Sequence, residues 1–168
     1  FVNFIKVFAR AGDTELARKF IADYSAKLPG DQFDNCMNFA NAYILHCEGE
    51  IKNALVCISK VNFPLAILKI QVKILQVQLN YQLGYYEETR NLVESFKKSL
   101  VKEEVISDLY KNSIIGFLQS VIILIGLNEA TDNSKKQFYL SRLRNEVTNS
   151  QMNHFGIKFW LQDKVNEH

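Results

Sequence analysis

Gly49-Glu50-Ile51-Lys52-Asn53-Ala54 separates two runs of helical periodicity. Before it, Phe39, Ala40, Tyr43 and Ile44 lie on one side of a segment from Phe33 to Cys47. After it, Ile51, Ala54, Leu55 and Ile58 repeat the pattern over residues 50–61 and are expected to be buried. Apolar residues three and four positions apart form one stripe of an α-helix. Gly49 therefore marks where one helix stops and another begins, because glycine adopts the left-handed conformation that ends helices at low steric cost. Ala54, five residues on, supplies a small side chain where the second helix must approach the first closely.

The same arrangement occurs at Gly12, with Ala17 five residues on, and at Gly84, with Thr89 five residues on. Gly49 follows Gly12 by 37 residues, and Gly84 follows Gly49 by 35. A weaker fourth instance is Gly126, followed by Ala130. A helix over 1–11 carries Val2, Ile5, Phe8 and Ala9; its partner at about 13–28, capped by Asp13, carries Leu16, Phe20, Ile21 and Tyr24. Pro29-Gly30-Asp31 and Asn62-Phe63-Pro64 are breaks, Pro64 fitting the first turn of a helix that runs to Leu83. Leu92, Val93 and Phe96 point inward from a helix at 87–99. Helical steps continue over 102–126 through Val105, Ile106, Leu109, Phe117, Val121 and Ile125. Asp132-Asn133-Ser134 reads as a loop and cap before a helix with Phe138, Leu143 and Val147. A last helix at about 151–166 carries Met152, Phe155, Phe159, Trp160 and Val165. No segment alternates with period two, so no strand is predicted. The expectation is one all-α domain over 1–168: hairpins at about 1–28, 31–61, 63–99 and 102–149, then a terminal helix.

Composition fits this. Of 168 residues, 48% are hydrophobic and 12% aromatic, too apolar for a disordered chain, and only two prolines interrupt the helical patterns. The formal net charge of +2 by itself implies neither nucleic acid nor an anionic membrane. Cys36, Cys47 and Cys57 are an odd number without a CxxC, which suits free thiols in a reducing compartment, the cytoplasm. The apolar run Ile114–Leu127 is shorter than the roughly 20 residues a bilayer requires and reads as a buried core helix. Phe1 already lies in helical periodicity, which reads as a piece of a longer protein.

The stretches Asn41-Ala42-Tyr43-Ile44-Leu45-His46-Cys47-Glu48-Gly49 and Asn80-Tyr81-Gln82-Leu83-Gly84-Tyr85-Tyr86-Glu87-Glu88, each continuing into the next helix, resemble the heart of a tetratricopeptide repeat. The resemblance covers residues 1–100 well and weakens after 101. It departs from the family in its irregular, longer spacing and in lacking a tryptophan near each repeat start. Lys73 and Asn80 also stand where the family has core residues. The resemblance implies a right-handed superhelical stack of about four antiparallel hairpins plus a C-terminal helix. It also implies a concave groove lined by the first helix of each hairpin. Asn3, Lys6, Arg10, Tyr43, His46, Gln71, Gln78, Tyr81 and Gln82 fall on or near that surface. Tyrosine and arginine are common interface anchors, and glutamine can bond a peptide backbone. The family's two-carboxylate clamp needs particular Lys, Asn and Arg positions; only Asn3, Lys6 and Arg10 come near them, so the clamp is not predicted.

No catalytic or cofactor site emerges. Glu87–Glu88 and Glu103–Glu104 are adjacent on their helices, about 100° apart, and read as solvated or capping residues. Cys36, His46, Cys47 and Cys57 match no zinc spacing, and the three cysteines read as buried structural thiols. GxGxxG, P-loop, GxSxG and Glu-x-x-His patterns are absent, and His154 and His168 have no obvious catalytic partner. Lys135, Lys136, Arg142, Arg144, Lys158 and Lys164 concentrate in the last third, but Glu146, Asp163 and Glu167 dilute them. The leading reading is a non-enzymatic scaffold that binds a protein or peptide, which could be another part of its own chain. A helical sensor for a small ligand or peptide beside an effector domain is second. An RNA-binding repeat is third and an enzyme last.

Overall fold

A computed structural model describes residues 1–149, 152 and 154–168. Among these the structure is all-α, with nine α-helices and no strand. The chain divides into two compact units, Phe1–Tyr85 and Tyr86–His168. The boundary falls inside segment 63–99, which the sequence reads as one hairpin.

In the first unit, α1 (Val2–Arg10) and α2 (Thr14–Tyr24) form one helix pair, extended by a 3₁₀ turn at Ser25–Lys27. A second pair follows in α3 (Gly30–Cys47) and α4 (Ile51–Ser59), and α5 (Ala66–Gln82) packs against α4. Gly12, Gly49 and Gly84 have φ of +81°, +82° and +74°. The three turns close by the same bonds. Each glycine N–H donates to the carbonyl three residues back, at Ala9, His46 and Tyr81. The N–H after it reaches five residues back, to Phe8, Leu45 and Asn80. This is the Schellman closure, which satisfies carbonyls that a helix end leaves unpaired. Ala17, Ala54 and Thr89, each five residues later, are buried. Leu55 and Ile51, expected to be buried, are only half-buried, because the stripe of α4 that packs inward centres on Ala54 and Ile58. Ala54→Phe should overpack this site and cost about 1–3 kcal/mol; an unchanged melting temperature would show that the position has spare volume.

Phe39, Tyr43, Ala54, Ile58, Phe63, Val72, Leu75 and Leu79 make the main core of this unit. Ile5, Ala9, Ala17, Ala40 and Ile44 make a second. A side-chain clamp seats the loop before α5. Asn35 Nδ2 donates to the Asn62 carbonyl at 3.1 Å, and the Asn62 N–H donates to Asn35 Oδ1 at 2.8 Å. Phe63 thereby enters the core, while Pro64 lies before α5 rather than in its first turn.

The second unit holds α6 (Tyr86–Val101), α7 (Asp108–Glu129), α8 (Asn133–Asn149) and α9 (Ile157–Asn166). The helix expected from residue 102 begins instead at Asp108, with Ser107 extended before it. Val105 and Leu109, read as inward, are exposed, whereas Ile106 is buried. Leu92 and Val165 are half-buried, and Phe138 and Phe159 face solvent. Gly126 is no turn, for α7 runs through it. A Cβ there would lie 2.8 Å from the Tyr139 ring, so this glycine serves the close approach of α8. Asp132 caps α8, its Oδ1 accepting from the Lys135 N–H at 2.8 Å. The terminal helix starts at Ile157, after left-handed Gly156; its expected start at 151 lies outside the described residues.

The apolar run Ile114–Leu127, shorter than a bilayer requires, sits inside a longer helix. α7 has 22 residues and is apolar enough to cross a bilayer by composition. What the structure shows is a helix packed by α6, α8 and α9, with Ile114, Phe117, Leu118, Val121 and Leu124 fully buried.

Candidate functional site

The nine groove residues all belong to the first unit, on three helices: Asn3, Lys6 and Arg10 on α1, Tyr43 and His46 on α3, the other four on α5. Positions 3, 6 and 10 share one face of α1. Two long-range hydrogen bonds draw the helices together. Lys6 Nζ donates to Gln71 Oε1 at 2.7 Å, across 65 residues of sequence. His46 Nε2 stands 2.7 Å from Gln82 Oε1, a carbonyl oxygen that can only accept, so this bond uses the Nε2–H form of the ring. The Lys6 ammonium also lies 5.3 Å from the centre of the Tyr43 ring, within cation–π range.

The expectation of a groove lined by accessible tyrosines needs correction. Lys6, Tyr43, Gln71, Gln78 and Tyr81 are buried, each 6–8% exposed. Asn3 and Arg10 are exposed, and His46 and Gln82 are half-buried. The cause lies in α5, where every residue from Gln71 to Tyr81 except Lys73 and Gln76 is buried, leaving no broad polar stripe toward water. Tyr43 is a core residue with one polar end. Asn80, also buried, turns its Nδ2 back to the Gln76 carbonyl at 2.8 Å.

Burial changes the chemistry of this cluster. It lowers the Lys6 pKa from the ordinary 10.5 to about 8, with Arg10 adding like-charge repulsion. Burial likewise raises the Tyr43 pKa, so its phenol stays protonated. Among the described residues Lys6 forms no ion pair; its partners are an amide oxygen and a ring face. The arrangement is a buried cation held by neutral acceptors, with Arg10 at its solvent edge.

The cysteines divide. Cys36 and Cys57 are half-buried against the main core, and burial raises the Cys36 pKa. Cys47 is exposed rather than buried, because it is the last residue of α3, where the chain turns away. Among the described residues no three His, Cys, Asp or Glu side chains converge as a metal would need. Glu87 and Glu88 stand in the first turn of α6, and Glu87 pairs with Arg90 at 3.6 Å. Of the late basic residues, Lys135 pairs with Asp132 and Lys164 with Glu167. His154 packs against Tyr110, with ring centres 4.2 Å apart and the planes tilted by 42°.

No family model matches the chain, and neither a curated protein nor a solved structure matches it.

Proposed function

We propose that the chain is a divergent tetratricopeptide-like repeat protein, its hairpins stacked in a right-handed superhelix, and that it binds a protein segment without catalysis of its own. The observation that carries this reading is the turn at Gly12, Gly49 and Gly84. Three sites share the same pair of hydrogen bonds and a small buried residue five positions later, Ala17, Ala54 and Thr89. Stacked hairpins of this kind offer long binding faces made of many side chains.

The face must be drawn differently from the sequence expectation. Tyr43 and Tyr81 hold the core, so truncating them would test folding rather than binding. Asn3 and Arg10 are the accessible members of the row, with His46 and Gln82 half-open beside the buried Lys6. Panning a library of displayed peptides against the full chain tests the proposal. Enriched peptides should lose about fivefold or more in affinity to Asn3→Ala/Arg10→Glu, as expected when a contact at an interface is removed and a charge reversed. Failure to enrich any peptide above an unrelated helical protein would overturn the reading. Peptides that bind wild type and variant equally would overturn the assigned face.

A further inference from the structure

We infer that the second unit carries a separate docking groove for an acidic peptide whose apolar side chain is flanked by carboxylates. Helices α6, α7 and α8 enclose a cleft of about 380 Å³. Its floor is aliphatic, from Ile122 and Ile123 of α7, and Tyr139 of α8 forms one wall. That wall exists because residue 126 is glycine: the Tyr139 ring occupies the space a Cβ would need.

The charges around the floor are unbalanced. Arg90, Lys97 and Arg142 line the cleft against one carboxylate, Glu129. Glu129 is already bonded to Arg90, which also pairs with Glu87. Among the described residues neither Lys97 nor Arg142 has an ion-pair partner. Helix geometry places both. The Arg90–Glu129 bond joins the start of α6 to the end of α7, so the two run antiparallel. Lys97, seven residues after Arg90 and roughly 10 Å along α6, comes level with Ile122. The Tyr139–Gly126 contact sets α8 antiparallel to α7 in the same way, and Arg142, three residues on, comes level with Ile123. The two unpaired cations therefore stand on opposite sides of the apolar floor.

This pattern selects its occupant. The volume sits near the lower end of small-ligand pockets, ample for a bulky apolar side chain. Carboxylates on either side of that side chain would meet Lys97 and Arg142. A nucleic acid fits worse, because the one aromatic ring of the cleft, Tyr139, makes no stacking platform. The groove uses none of the residues of the α1–α3–α5 row, so it stands or falls independently of the function proposed for that row.

Fluorescence anisotropy on the full chain tests the inference. The probe is a labelled Glu-Asp-Leu-Phe-Asp-Glu peptide with blocked ends. Its controls are the same peptide with lysine at the acidic positions and a single-stranded oligonucleotide. The acidic peptide should bind, the basic one should not, and affinity should fall several-fold between about 50 and 300 mM salt. Lys97→Glu/Arg142→Glu should weaken binding about tenfold or more. Lys97→Gln/Arg142→Gln should give an intermediate loss and guards against a folding defect, checked by circular dichroism. Lys102→Glu/Lys136→Glu should change nothing. Unchanged binding in the groove variants, preference for the oligonucleotide, or an equal loss in Lys102→Glu/Lys136→Glu would each overturn the inference. So would self-association of the chain abolished by the same charge reversal, which would put a second copy in the groove.

Discussion

Phe39→Ala should lower the stability of the protein by about 3–5 kcal/mol, the usual cost of truncating a fully buried phenylalanine. Phe39 is 0% exposed in the middle of α3. Its ring centre lies 5.0 Å from that of Tyr43 and 5.7 Å from that of Phe63. Removing it leaves a void between α3 and the loop that Asn35 clamps. Dispersion contacts are lost on both sides, and the neighbouring helices relax only partly. Phe33 on the same helix is 38% exposed, so Phe33→Ala should cost much less. Urea denaturation of both variants against wild type checks the pair. Equal losses would mean that α3 is rotated from the orientation described.

Lys6→Met/Gln71→Leu should stabilise the protein at neutral pH. Lys6 has a folded-state pKa of about 8 against 10.5 for an ordinary lysine. Below pH 8 the amine is protonated in both folded and unfolded chains, and the full cost of burying the charge is present. Between pH 8 and 10.5 the folded chain releases its proton first, and stability rises with pH. Above 10.5 the penalty has gone. A gap of this size corresponds to about 3 kcal/mol. Replacing both partners with apolar residues of similar volume removes that cost, as at other buried polar pairs. The melting midpoint should rise by about 6–12 °C at pH 7 for a chain of this size. The advantage over wild type should shrink as pH climbs from 8 to 10.5. Gln71→Leu alone should be the least stable variant, since it leaves a buried ammonium without its acceptor. If the double variant melts below wild type at pH 7, the Lys6–Gln71 pair contributes to stability more than burial of the charge costs.

The all-α class and the helix ends at Gly12 and Gly49 were legible in the residues because their causes are local, whereas α3 begins at Gly30, inside the stretch that reads as a break. A Schellman turn needs a glycine and the backbone groups within five residues of it. An N-cap needs only a short polar side chain, and Asp13 Oδ1 does accept from the Leu16 N–H at 2.9 Å. Local signals failed in a way that is also physical. Gly126 has the composition of a turn, but its neighbours continue the helix and a tyrosine thirteen residues on claims the missing Cβ. Residues 102–107 have helical periodicity, yet the extended Ser107 and the acidic Asp108 after it suit a helix start, and α7 begins there.

What periodicity could not supply was which polar residues face water. The repeat resemblance implied that Gln71, Gln78 and Gln82 lie on or near an open groove. Tertiary packing instead buried Gln71 and Gln78, and Gln71 meets its partner Lys6 from 65 residues away. The cleft of the second unit is of the same kind. Lys97, Ile122 and Arg142 carry no shared motif, and only the antiparallel registers of α6, α7 and α8 bring them to one level. The helix ends at Gly12, Gly49 and Gly84 follow from bonds within five residues, so the sequence alone determines them. Burial, the depressed basicity of Lys6 and the charge imbalance of the cleft depend on groups brought together by packing, and the tertiary structure decides them.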